Sequence, residues 1–81
     1  MYYFYTLRSL VDDKLYKGST QDVSERLKQH NSGKVSATIS RKPFRVIYQE
    51  VFYTREEALQ KEKYYKSFKG GKELAKIVKD L

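Results

Sequence analysis

Residues 2–8, YYFYTLR, alternate with apolar or aromatic side chains on both faces: Tyr3, Tyr5 and Leu7 on one, Tyr2, Phe4 and Thr6 on the other. That pattern predicts a strand covered on both sides. Asp12 and Asp13 supply turn chemistry before KLYKGS, so the two runs read as an antiparallel hairpin, and Gly18 marks a strand end or a close backbone approach. A helix then opens on Asp22 with Glu25 three residues on, an acidic capping box, and closes at Asn31-Ser32-Gly33. Its apolar stripe is Val23 and Leu27, with Arg26 and His30 one turn apart beside it. Residues 34–43 read as a basic, hydroxyl-rich loop ended by Pro43, although the alternation of Val35, Ala37 and Ile39 leaves a short strand open.

FRVIYQEVF, residues 44–52, has the β-branched and aromatic content of a strand, and strict alternation puts Phe44, Val46, Tyr48, Glu50 and Phe52 on one face. Thr54 and Glu57 form a capping box for a helix running through Ala58, Leu59, Glu62, Tyr65 and Phe68 to a stop at Gly70-Gly71. A last helix carries Leu74, Ile77, Val78 and Leu81 at i, i+3, i+4 and i+7. The order ββαβαα predicts an α+β layer fold.

At 81 residues the chain is expected to form one domain, residues 1–81. Lys and Arg outnumber Asp and Glu by 17 to 10, a net charge of +7, which points to a polyanionic partner, nucleic acid first. Forty per cent apolar residues, with eight tyrosines and four phenylalanines, separate the chain from a disordered basic tail. The absence of cysteine excludes thiol catalysis, iron–sulfur clusters and zinc fingers, and one histidine cannot build a His-based metal site, so any metal is a hard ion bound by oxygen. No basic segment followed by an apolar run opens the chain and no stretch suits a membrane span, so a soluble, cytoplasmic protein is expected.

Three groups of residues carry candidate chemistry. Glu62 lies among Ala58, Leu59 and Tyr65 on the stripe that should face the sheet, where a lone carboxylate is costly. An i+4 pair with Lys66 and a metal-binding or catalytic role both answer this. Glu50 competes for such a role, its plainer reading being a partner for a basic side chain. Arg26 can present a planar fork to phosphate and His30 can move a proton near neutral pH, against the plainer reading of an interfacial histidine packed on Leu27. Tyr5 and Tyr16 share a face if the hairpin register allows it, either as core aromatics or as a phenol pair. A phenol with a pKa of about 10 is ionised only to about one part in a thousand at neutral pH, so a base role needs a nearby cation. Lys34, Arg41, Lys42 and Arg45 cluster around the loop, and seven lysines from Lys61 to Lys79 spread over the last two helices.

Taken in order, these pieces resemble the GIY-YIG nucleases, especially their small single-domain branch. Tyr3-Phe4-Tyr5 matches the first signature tripeptide and Tyr16-Lys17-Gly18 the second, followed by Ser19-Thr20, ERLKQHNSG with Arg26 and His30, RKPFRVIYQE, and EEALQKEKYYK with Glu62. The chain departs from the pattern at Tyr3, Phe4 and Lys17, and Lys17 must either reach solvent or place a cation beside the sheet. The resemblance implies a three-stranded antiparallel sheet flanked by helices and divalent-metal-dependent hydrolysis of a phosphodiester, DNA by family analogy. It further implies a single Mg²⁺ or Mn²⁺ on Glu62, Tyr16 as general base, and Tyr5 positioning the water or tuning Tyr16. Arg26 would stabilise the developing charge, with His30 assisting the water, the base or the phosphate. Lys34, Arg41 and Lys42 are the expected substrate-binding residues, and a monomer is the expected state. The rival readings are a noncatalytic basic module that binds nucleic acid on the same fold and, more remotely, an adaptor for an acidic protein.

Overall fold

In the computed structural model, which describes residues 1–81, the elements are strands β1 (Tyr2–Ser9) and β2 (Leu15–Thr20), helix α1 (Val23–Asn31), strand β3 (Phe44–Phe52), and helices α2 (Arg55–Lys66) and α3 (Phe68–Ile77). The strands form one antiparallel sheet in the order β2-β1-β3, so the doubly apolar first strand is central. Tyr5, Leu7 and Phe44 pack with Tyr16, Val23, Leu27 and Val46 on the face covered by α1. Phe4, Tyr65, Leu74 and Val78 pack with Ile47, Tyr48 and Phe52 on the face covered by α2 and α3. The fold is α+β, as the pattern implies. No helix is long and apolar enough to cross a membrane.

Strict alternation fails along β3. Thr6 pairs with Tyr48 but Leu7 pairs with Val46, so Ile47 is an extra residue in a β-bulge. Phe44 and Val46 therefore face α1, while Tyr48, Glu50 and Phe52 face α2 and α3. A single inserted residue flips every side chain beyond it, which periodicity read from one strand cannot detect.

The caps on Asp22 and Thr54 form as expected: Glu25 N donates to Asp22 Oδ1 at 3.0 Å, and Thr54 and Glu57 make both bonds of the capping box. Gly33, at φ +82°, provides the left-handed residue after α1. The break between the last two helices lies at Ser67, not at Gly70-Gly71. Ser67 is extended, ends α2 and caps α3 by accepting from Gly70 N at 3.1 Å. Gly70 sits in the first turn of α3 because any Cβ there would collide with the Tyr64 carbonyl oxygen. On α3, Leu74 and Val78 are buried while Ile77 is exposed and Leu81 lies beyond the helix, so the contacting stripe is shorter than the spacing suggests.

Residues 34–43 form turns and one 3-10 turn, Ile39–Arg41, rather than a strand. Both ends of this loop are tied down. The Asn31 side chain brackets the Phe44 backbone, accepting from N at 2.7 Å and donating to O at 3.0 Å. The Arg41 carbonyl accepts from Ser9 Oγ. Lys17, the uncomfortable residue of β2, donates from Nζ to the Tyr65 carbonyl at 3.0 Å. It thus sits at the negative end of α2, where a cation is favourable.

Candidate active site

The hairpin register pairs Tyr5 with Gly18 and Leu7 with Tyr16, so Tyr5 and Tyr16 are diagonal neighbours on the α1 face. Gly18 is required here. A Cβ on it would lie 2.6 Å from the Tyr5 hydroxyl oxygen and 2.7 Å from Cζ, so the glycine is what lets the phenol lie over β2. Beneath it, His30 is completely buried, with its ring centroid 5.0 Å from that of Tyr16 and 5.9 Å from that of Phe44.

His30 Nδ1 lies 2.8 Å from Thr38 Oγ1, and the Thr38 hydroxyl donates to the Val35 carbonyl at 3.4 Å. Thr38 therefore accepts from Nδ1–H, which leaves Nε2 to accept from the Tyr5 hydroxyl 3.0 Å away. Burial and the Arg26 charge both push the His30 pKa down, favouring the neutral ring this chain of bonds requires. Burial raises the Tyr5 pKa, partly opposed by the nearby Arg26 guanidinium, so Tyr5 stays a donor at neutral pH. His30 is sealed from solvent, and its two ring nitrogens are taken up by Tyr5 and Thr38.

Arg26 projects from the middle of α1, half-buried, with Nη1 donating to Gln29 Oε1 at 2.7 Å. The Arg26 charge lowers the Tyr5 pKa, while the Glu62 charge, and Tyr16 once ionised, raise it.

Glu62 is held from two sides. Its Oε1 accepts from Ser19 Oγ at 2.7 Å and its Oε2 pairs with Lys66 Nζ at 2.7 Å. The expected i+4 pair is thus present, but Lys66 is half-exposed and such a pair is worth only about 0.3–0.5 kcal/mol. The lysine can be displaced cheaply. No group of three or more His, Cys, Asp or Glu side chains converges anywhere; Glu62, with the Ser19 hydroxyl beside it, offers a single carboxylate and a hydroxyl oxygen. One carboxylate suits Mg²⁺ or Mn²⁺, which usually keeps several waters. A shallow groove of about 270 Å³ reaches Ser19 from the other side, lined also by Tyr2, Thr20, Gln21, Arg55, Ala58 and Leu59.

Glu50 lies apart from this cluster. Its Oε2 accepts from the hydroxyls of Tyr48 at 2.6 Å and Tyr65 at 2.7 Å, with Lys61 Nζ 4.0 Å from Oε1. Burial and this carboxylate push the Tyr48 pKa up to about 12 and raise that of Tyr65 further. Glu50 is therefore the inward-facing partner of two phenols, joining β3 to α2. Arg41 is committed as well: it pairs with Asp12 at 2.9 Å, donates to the Leu15 carbonyl at 3.3 Å and lies 5.6 Å from the Phe44 ring centroid. It braces the β1–β2 turn and is not free for a ligand in this arrangement. Lys34 and Lys42 are exposed on the loop after α1.

Two residues of the cluster escape sequence reasoning. Ser19 is one step past Gly18 on an edge strand, a position that carries no signal until α2 is seen to pass it. Thr38 sits in an aperiodic loop, and only its complete burial reveals it.

A family model described as the GIY-YIG catalytic domain matches residues 1–73. A UPF0213 protein of Bacillus pumilus is 43% identical over 68 residues, covering 83% of this chain and 68% of that protein. A UPF0213 protein of Staphylococcus saprophyticus is 36% identical over 77 residues, covering 94% and 93%. The solution NMR structure of a UPF0213 protein from Bacillus halodurans aligns with a TM-score of 0.56 at 36% identity, covering 95% of this chain and 85% of that one. With the ordered tyrosines, the sheet and the helix-borne Arg26 and Glu62 in place, the chain belongs to the GIY-YIG catalytic domain family.

Proposed function

We propose that residues 1–81 act as one nuclease domain that hydrolyses phosphodiester bonds, of DNA by family analogy, at the Tyr5, Tyr16, Arg26 and Glu62 cluster. The observation that carries this reading is the placing of Tyr5 and Tyr16 as diagonal neighbours on one sheet face over His30, with Glu62 tied by Ser19 to the same edge strand, one residue beyond Gly18. In this reading Tyr16 takes the proton of the attacking water and Arg26 binds the non-bridging oxygens as negative charge grows on them. Tyr5 holds its orientation by donating to His30, so His30 is a positioning residue. Glu62, oriented by Ser19, holds one Mg²⁺ or Mn²⁺ after Lys66 yields. That ion would supply Lewis-acid stabilisation of the phosphate and the leaving oxygen. Lys34 and Lys42 serve as exposed phosphate contacts, and Arg41 contributes only if it leaves Asp12.

A second reading, a noncatalytic nucleic-acid-binding module, is favoured by one observation: both Glu62 oxygens already have partners within the protein. Cleavage of labelled single-stranded, duplex and branched DNA, and of RNA, in Mg²⁺, Mn²⁺ or EDTA separates the two. For a nuclease, cutting requires metal and is lost in Glu62→Ala and Tyr16→Phe while binding persists. Salt-sensitive binding by the wild type with no cutting of any substrate selects the module.

A further inference from the structure

Phe68 is 81% exposed, although phenylalanine is among the residue types most often buried. It occupies the first position of α3 after the Ser67 cap, a place where nothing in the packing asks for an aromatic ring. With Tyr64, Lys69, Lys72, Glu73 and Lys76 it lines an open groove of about 400 Å³ between the end of α2 and the outer face of α3. Lys72 Nζ lies 4.5 Å from the Phe68 ring centroid. Neither Lys69, Lys72 nor Lys76 takes part in any of the four ion pairs of the molecule. The groove has one carboxylate, Glu73, which raises the Tyr64 pKa. Three lysines free of ion pairs against one carboxylate, around an aromatic ring that stays largely exposed although Lys72 lies over it, form a positive groove with a stacking surface.

We propose that this groove binds single-stranded nucleic acid, with phosphates on Lys69, Lys72 and Lys76 and one base stacked on Phe68. Lys72 and Lys76 stand one helical turn apart, a rise of about 6 Å, so they form a short track beside the ring. Charge complementarity selects the polyanion, and the exposed ring selects an unpaired base over a duplex, whose bases are already stacked. Glu62 and Tyr64 stand two positions apart on α2 and so on different sides of the helix, and neither Ser19 nor Glu62 lines this groove, so it is separate from the proposed hydrolytic cluster and does not depend on it.

The test is fluorescence anisotropy of a labelled thymidine oligonucleotide of about 12 nucleotides, and of a duplex of equal length, in EDTA over a salt series. Working in EDTA makes the result independent of cutting. Phe68→Ala is expected to weaken single-strand binding about five- to hundredfold while Phe68→Tyr retains it. Lys72→Ala and Lys76→Ala should each reduce the salt slope by about 0.7. Because Phe68 is exposed, Phe68→Ala should melt as the wild type does, and Phe68→Tyr provides a second check should it not. Single-strand affinity of Phe68→Ala within twofold of wild type overturns the proposal. So does an equal loss for duplex and single strand, or competition by polyglutamate as strong as by oligonucleotide. A Phe68-dependent dimer in sedimentation, with oligonucleotide binding intact in Phe68→Ala, assigns the surface to a second copy and overturns it too.

Discussion

The Ser19 hydroxyl on β2 donates to Glu62 Oε1 on α2 at 2.7 Å, joining the sheet edge to the helix across 43 positions of sequence. A glutamate on a helix surface otherwise samples several rotamers, and this bond selects one. Ser19→Ala should therefore cost about 1 kcal/mol of stability and lower metal-dependent cutting about tenfold, whereas Ser19→Thr keeps the hydroxyl and restores most of the rate. Unchanged cutting by Ser19→Ala, measured at saturating metal and at limiting metal, would show that Glu62 is oriented by something else.

Tyr5 lies over Gly18 with no space for a methyl group. Gly18→Ala should destabilise the fold by about 1–3 kcal/mol, the range for overpacking a tight site. Tyr5→Phe removes the nearest clashing atom, so the double variant should lose less than the sum of the two single losses. Strict additivity in denaturant melts would mean that the ring moves freely and does not press on β2.

Stability should fall with acid through His30. Burial, assisted by the Arg26 charge, sets its folded pKa below the unfolded value near 6.5. Between the two values the unfolded chain binds a proton that the folded chain does not. The contribution is therefore complete above about pH 6.5 and is lost as pH falls toward the folded pKa, with a slope of at most about 1.4 kcal/mol per pH unit. Denaturant melts between pH 5 and 7 should show this slope in the wild type and not in His30→Gln; parallel profiles would assign the acid sensitivity elsewhere.

Thr6 is completely buried on the central strand beside the bulge, and its hydroxyl is the one buried side-chain polar atom without a hydrogen-bond partner. Thr6→Val keeps the shape and β-branching while removing the desolvated oxygen, so it should stabilise by about 1 kcal/mol. A lower melting temperature for Thr6→Val would reveal a partner for that hydroxyl.

Most of the fold was legible because its signals are local. The caps at Asp22 and Thr54, the doubly apolar first strand and the β-branched run at 44–52 each depend on a few adjacent residues, and each stands where the pattern placed it. The misread points need a partner to interpret. Ile47 is extra only relative to β1. Gly70-Gly71 reads as a stop, but Ser67 breaks the helix, and Gly70 is needed for the close approach of the Tyr64 carbonyl.

The candidate site divides in the same way. Tyr5, Tyr16, Arg26, His30 and Glu62 stand out by residue type and order, and the sequence by itself determined that they lie on a small basic α+β domain whose elements follow that order. Tertiary structure decided what each can reach: it seals His30 beneath Tyr5, holds Glu62 with Ser19, commits Arg41 to Asp12 and turns Glu50 toward two phenols. The reason is range. Capping and alternation are settled within a few residues, whereas burial and hydrogen-bond partners depend on which side chains packing brings together from segments far apart in the chain.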